Sequence, residues 1–225
     1  MQADIVFQFG HPATPCMLYK EPLPLHWSKK PEITTNRCSG EINGGETVST
    51  IQYPQDSDLR SLVRFCAEKG LIWLDESRMI LMHAAALSAL RKELIESLGI
   101  DQARRILTRM GYASGARDAE LAKKVRNGKC TKNVFSAGPQ LHMLEGSVLV
   151  TPVTLDMDVK AGTFYGEFLW DNSYEAEVHV REFGHSEDPV CWMQIGYASG
   201  YTSTFMGRFI LFKEVACAAT GNNQC

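Results

Sequence analysis

The spacing of apolar residues changes partway along the chain. From Ser57 or Asp58, either of which can cap a helix, Leu59, Leu62, Val63 and Cys66 recur at helical spacing until Gly70. GLIWL then reads as a short strand. MILMHAAALSAL, residues 79–90, is the longest apolar stretch and predicts a buried helix from about Glu76 to Leu98, stopped by Gly99 in the left-handed conformation. Asp101 is placed to cap a further helix through DQARRILTRMGYASGARDAELAKKV. Its internal Gly111 and Gly115 cost about 1 kcal/mol each relative to alanine, so close packing or a break is expected there.

From Gln140 the period becomes two. LHMLEGSVLVTPVTL, GTFYGEFLW and YEAEVHVREF predict strands. The last would set Tyr174, Ala176, Val178 and Val180 on one face and Glu175, Glu177, His179 and Arg181 on the other. A helix rich in glycine and serine is expected through CWMQIGYASGYTSTFMG, followed by a strand, RFILFKEVA. The predicted class is α+β, helices packed on an antiparallel sheet. GYASG occurs at 111 and again at 196 with unmatched flanks, which argues for small-residue helix packing over a domain duplication.

Residues 1–56 have another character. PATP, EPLPLHW and KKPEITTNRCSGEINGG are turn-rich, and only DIVFQF and TVSTIQY alternate well enough for strands. Such an arm packs on the domain that follows, residues 57–225, or on a second copy of the chain, and is expected to be a dimerisation element.

Composition narrows the possibilities. A chain of 225 residues, 44% apolar, buries the core of one large domain. With 23 basic residues against 26 acidic ones and no basic run, it has no electrostatic footprint for nucleic acid. The 79–90 stretch contains His83 and Ser88 and falls short of the roughly 20 residues that cross a bilayer. No charged-then-apolar leader opens the sequence, so a cytoplasmic location is expected. The seven cysteines then favour thiols or metal over disulfides.

The end of the chain, EVACAATGNNQC, offers three metal ligands: Glu214, Cys217 and Cys225. AATGNNQ between the cysteines is made of turn formers that let the chain double back. Cys191, at the entry to the preceding helix, is the best fourth ligand, since that helix and the strand after it would return Glu214 toward it. Cys16, Cys38, Cys66 and Cys130 lie in unrelated contexts. Three sulfurs and a carboxylate would close a tetrahedral zinc site and make it structural, pinning a lobe within about 188–225. The paired CxxC knuckles of strong zinc motifs are missing, so ordinary thiols stay open as the alternative.

A second constellation is read from the strands. Alternation puts His142, Leu144, Gly146 and Val148 on one face, and Phe164, Gly166, Phe168 and Trp170 on another. If these faces meet, an imidazole and an indole N–H project into an apolar space, a suitable pocket for a small aromatic alcohol. A histidine and a tryptophan satisfied within a core is the competing reading. Carboxylates are sparse nearby, which argues against acid–base catalysis of the triad type.

IWLDESRMILMHAAALSALRKELIESLG, GYASGARDAELAKK, GPQLHMLEG, EDPVCW and GYASGYTSTFMGR together resemble the sensor domain of XylR/DmpR/MopR/PoxR-type activators, which are bacterial sigma-54-dependent regulators of aromatic catabolism. The resemblance covers about residues 57–225, and its C-terminal half is similar to the 4-vinyl reductase domain family. It implies a structural zinc on Cys191, Glu214, Cys217 and Cys225, and a phenol hydroxyl held by His142 and Trp170. It also implies apolar walls from Phe135, Leu144, Phe168, Ile195, Tyr201 and Phe212. Complete regulators of this kind continue into an ATPase that contacts sigma-54 RNA polymerase and into a DNA-binding segment. No GxxxxGK[ST] loop is found in these 225 residues. The chain is therefore expected to be a homodimeric sensing fragment and not itself an enzyme. Effector binding would relieve repression of the absent ATPase. The competing functions are a zinc-containing, reductase-like enzyme acting on an aromatic substrate and a plain dimerisation module.

Overall fold

The computed structural model describes residues 52–225. The arm, with its DIVFQF segment, Cys16 and Cys38, lies outside these residues, and only the end of TVSTIQY falls within them. A short helix, α1 (Ser57–Arg60), leads into a three-stranded antiparallel sheet of β1 (Val63–Cys66), β2 (Leu71–Leu74) and β3 (Ser77–Met79), in that spatial order. Helices α2 (Ala84–Leu98), α3 (Ile100–Val125), α4 (Thr131–Phe135) and α5 (Ala137–Leu144) follow. The chain continues with an antiparallel hairpin, β4 (Leu149–Asp158) and β5 (Thr163–Asp171), then α6 (Tyr174–Phe183), α7 (Trp192–Met206) and an extended tail with a 3-10 turn at Ala218–Thr220. The class is α+β, with two small antiparallel sheets in place of the single sheet expected. Among the described residues no helix is long and apolar enough to cross a membrane.

Several predicted elements differ, each for a local reason. The helix expected over 57–70 stops at Arg60, and Val63–Cys66 pairs instead with Leu71–Leu74. The helix expected from Glu76 begins only at Ala84, because Asp75, at φ 53°, turns the chain into β3. Asp tolerates that left-handed turn position. Ile80 and Leu81 in the supposedly buried apolar stretch are 74% and 82% exposed. Gly99 has positive φ but extended ψ, so it links α2 to α3 without a left-handed cap, and it also takes the capping position given to Asp101. Leu141–Leu144 is helical, with Pro139 in the first turn of α5, where a missing N–H costs nothing. YEAEVHVREF is helix α6: the Ser173 hydroxyl accepts the Ala176 N–H at 3.2 Å, and Glu175 and Glu177 sit in the first turn, where acids are favoured.

RFILFKEVA is extended but joins no ladder. Its inward N–H groups bond to α7 instead, Ile210 to the Ser203 hydroxyl at 2.8 Å and Phe212 to that of Ser199 at 3.0 Å. Two serines one helical turn apart thus satisfy alternate positions of an extended strap. The period of two is real, with Phe209, Leu211 and Val215 outward.

The close packing expected at the helix glycines occurs, between α3 and α7. A Cβ on Gly111 would lie 1.9 Å from the Met193 carbonyl oxygen, and one on Gly115 would lie 2.1 Å from that of Tyr197. Reciprocally, a Cβ on Gly196 or Gly200 would lie 2.1 Å from the carbonyl oxygen of Thr108 or Tyr112. The contacts advance in the same direction on both helices, so the two GYASG segments pack parallel, backbone on backbone. Buried Tyr197, Tyr201 and Phe205 extend this seam into a core with Leu59, Phe135 and Leu141, while Trp192 at the other end joins Val148, Val150 and Trp170. Arg126, almost fully buried, ties the start of the domain to this core. It donates to both Asp58 oxygens at 2.9 and 3.1 Å, to the Asn133 carbonyl and to the Ser136 hydroxyl, and its bond holds the Asp58 carboxyl below its usual range.

The helix seam gives a prediction whose sign is diagnostic. Propensity alone would make Gly115→Ala or Gly200→Ala stabilising by about 1 kcal/mol. Overpacking against a backbone carbonyl makes each destabilising by about 1–3 kcal/mol or more, read as a lower urea midpoint. Ala113→Ser, on the exposed face of α3, should leave the midpoint nearly unchanged.

Candidate functional site

The β4–β5 hairpin, α5, α7 and the tail enclose a cavity of about 650 Å³, within the range of small-molecule sites. Phe135, Phe168, Ile195, Tyr201 and Phe212 line it, as do His142 and Trp170. Leu144, the remaining expected wall, packs against the main core and lies outside the lining. His142 comes from a helix and not from a strand face, one turn after Gly138, whose missing side chain makes room for the Tyr201 ring. The Phe164, Gly166, Phe168 and Trp170 face is as expected, turned inward from β5.

The two polar groups converge. The rings of His142 and Trp170 lie 6.2 Å apart between centroids and nearly perpendicular, at 88°. His142 stacks on Tyr197 at 4.0 Å and 16°. The Tyr197 hydroxyl donates to Asp118 Oδ2 at 2.7 Å, and that of Tyr201 to the Phe135 carbonyl at 2.9 Å, so both phenols are already engaged. The imidazole nitrogens and the Trp170 indole N–H, by contrast, make no hydrogen bond to another described residue. Burial lowers the His142 pKa to about 3, which keeps the ring neutral at physiological pH, with one donor and one acceptor. Behind this pair, burial raises Asp118 to about 6 and Glu145 to about 8, the latter also through the neighbouring Asp118 charge.

Beside the cavity, Cys191, Glu214, Cys217 and Cys225 come together with their ligand atoms all within 4.8 Å of one another. Cys191 stands at the start of α7, and its N–H donates to Glu214 Oε2 at 3.1 Å, the return of the chain that the sequence suggests. The sulfur–sulfur distances are 3.6, 3.8 and 3.8 Å. A tetrahedron with zinc–sulfur bonds of about 2.3 Å has edges of about 3.8 Å, so the donor set has the size of a zinc shell. Glu214 Oε1 is buried without a hydrogen-bond partner, and burial raises its carboxyl to about 8. Hydrogen bonds from Cys191 and Cys225 push the Cys217 thiol down, while the same bonds push Cys191 up. One thiolate is thus favoured already, and a cation would draw the other donors to their charged forms.

Sequence reasoning missed what holds these ligands in place. Arg91 of α2 is buried, donates to Glu175 at 2.7 Å and to the Val190 carbonyl at 2.8 Å, and lies 3.9 Å over the Trp192 ring. Glu175 in turn accepts the Gln194 N–H at 2.9 Å. Both sides of Cys191 are clamped. Reading α6 as a strand hid Glu175 among exposed acids, whereas the Ser173 cap was the available signal.

Comparison with known proteins fixes the family. Residues 58–158 match the family XylR_N, described as an activator of aromatic catabolism, and residues 170–225 match the 4-vinyl reductase domain. The crystal structure of the phenol-responsive sensory domain of the transcription activator PoxR with phenol is 52% identical and superposes with a TM-score of 0.74, over 75% of this chain and 84% of that one. The chain belongs to the XylR-type sensory domains. This sensory domain is 43% identical over 175 residues to the transcriptional regulatory protein XylR of Pseudomonas putida, covering 78% of the chain and 31% of the regulator. It is 45% identical over 168 residues to the phenol regulator MopR of Acinetobacter guillouiae, covering 75% and 30%. It therefore spans about a third of the length of either regulator.

The buried imidazole makes a pH prediction. Folding lowers the His142 pKa, so the unfolded state binds more protons between about pH 3 and 6.5, and stability falls as pH drops through 6.5. Between pH 7.5 and 5 this loss is about 2 kcal/mol. His142→Phe removes it, so the variant's urea-derived stability should fall less over that interval than the parent's, whatever the constant offset from repacking.

Proposed function

We propose that the domain senses phenol or a closely related small aromatic alcohol, bound in the cavity between His142 and Trp170. The observation that carries this reading is the pair of unpartnered polar groups in an otherwise largely apolar enclosure. A phenolic hydroxyl complements both: it donates to the neutral imidazole and accepts from the indole N–H. Phe135, Phe168, Ile195, Tyr201 and Phe212 would pack on the ring. A bare hydrocarbon would leave the two groups unsatisfied, at a cost of about 1–3 kcal/mol for a buried polar group.

Cys191, Glu214, Cys217 and Cys225 would hold a structural zinc, which supplies cross-linking of the tail rather than reaction chemistry. Its support is the spacing of the donors and the orphaned Glu214 oxygen. In the full-length regulator this domain would hold an ATPase domain in check in the cytoplasm, with effector binding shifting the population toward the released state. Residues 1–56 would serve dimerisation, and contact with sigma-54 RNA polymerase and DNA would belong to the absent parts. The kinship with phenol-responsive regulators favours this sensing role over a reductase-like enzyme.

Titration calorimetry tests the pocket. Phenol should bind the purified chain with a stoichiometry of one, and His142→Ala and Trp170→Ala should each weaken it by about 1–3 kcal/mol. Full affinity in both variants would remove these residues from the site. Metal analysis should find one zinc per chain, with Cys217→Ser losing it and unfolding earlier.

A further inference from the structure

The tail does more than carry metal ligands. The Trp170 backbone N–H donates to the Cys225 carbonyl at 2.8 Å, and the Cys225 backbone N–H donates to the Trp170 carbonyl at 3.0 Å. On its other side Trp170 stands opposite Val150 of β4. Because both of its own backbone groups turn away from β4, the tail supplies the partners that the hairpin does not. One residue further along, Gln224 Nε2 donates to Asp171 Oδ1 at 2.8 Å. Asn222, Asn223, Gln224 and Cys225 also line the cavity, as does Glu214. The sulfur of Cys225 meanwhile lies 3.6 and 3.8 Å from those of Cys191 and Cys217. A single residue thus joins the metal cluster by its side chain and the effector's indole donor by its backbone.

We propose that the tail couples the two sites, with Gln224 as a positioning residue that, together with the Cys225 backbone, locks Trp170 in its binding orientation. The proposal rests on the effector and zinc assignments above. A cation that draws Cys225 to Cys191 and Cys217 fixes the edge on which Trp170 hangs and closes one cavity wall. An effector that bonds the indole and packs against that wall favours the same closed arrangement. By linkage each then raises the other's affinity by the same factor, and site-to-site couplings of this kind are about 5- to 150-fold.

The test is a zinc titration of the full chain against a competing chelator, with and without saturating phenol. Zinc affinity should rise about fivefold or more with phenol. Gln224→Ala and Asp171→Ala leave the four ligands and His142 and Trp170 untouched. Each should still take up one zinc and still give heat with phenol, yet phenol's effect on zinc affinity should shrink to less than about twofold. Asp171→Asn keeps an acceptor oxygen in place and should restore the coupling, a rescue that a general loss of stability would not give. Equal zinc affinity with and without phenol in the parent overturns the proposal while leaving both sites standing, as does undiminished coupling in both alanine variants. A zinc-loaded chain that gives no heat with phenol overturns the effector assignment and the coupling together.

Discussion

The arrangement of the domain depends on two helix backbones touching. Where α3 and α7 cross, four glycines remove the side chains that would hold the axes apart, and each faces a main-chain carbonyl that has little freedom to yield. That contact fixes α7, and α7 carries one part of everything else. Its first end presents Cys191 to the metal cluster, its middle turns Ile195, Tyr197 and Tyr201 toward the cavity, and Ser199 and Ser203 strap down the extended tail. A small shift of this helix would therefore disturb the metal cluster, the cavity wall and the tail at once.

The tail closes the arrangement. It leaves α7 at Gly207, runs back along the helix on two serine hydroxyls, delivers Glu214 to the Cys191 N–H and ends by pairing Cys225 with Trp170. The Arg91–Glu175 ion pair clamps the other side of Cys191 from α2 and α6. Breaking one partner of such a buried pair leaves an uncompensated charge, which is costly, so the clamp makes the ligand loop specific even where its net contribution is small. The metal cluster, the cavity and the helix seam are consequently parts of one assembly.

How much of this was legible in the sequence follows a physical pattern. The four metal ligands could be found because turn formers between Cys217 and Cys225 leave little doubt that the chain doubles back. The GYASG repeats announced close packing, since glycine in a helix is costly unless something approaches it. His142 and Trp170 were picked out on a partly mistaken premise: β5 is a strand as read, but His142 sits on a helix. Period-two alternation over four or five residues does not separate strand from helix, as α5 and α6 both show. Ser136 and Ser173, each preceding a helix, were the local signals that outweigh it. The Arg91–Glu175 clamp and the Gln224–Asp171 bond join residues far apart in the chain, and no local pattern encodes them.

The central claim is that an aromatic alcohol is recognised by the unpartnered indole of Trp170 beside a neutral His142. The indole N–H resonance of Trp170, assigned by its loss in Trp170→Phe, reads this directly in the zinc-loaded chain. The account predicts a downfield shift when phenol is added, as the N–H gains an acceptor, and a much smaller change with benzene. An indole resonance that stays in place while phenol saturates the protein would contradict it.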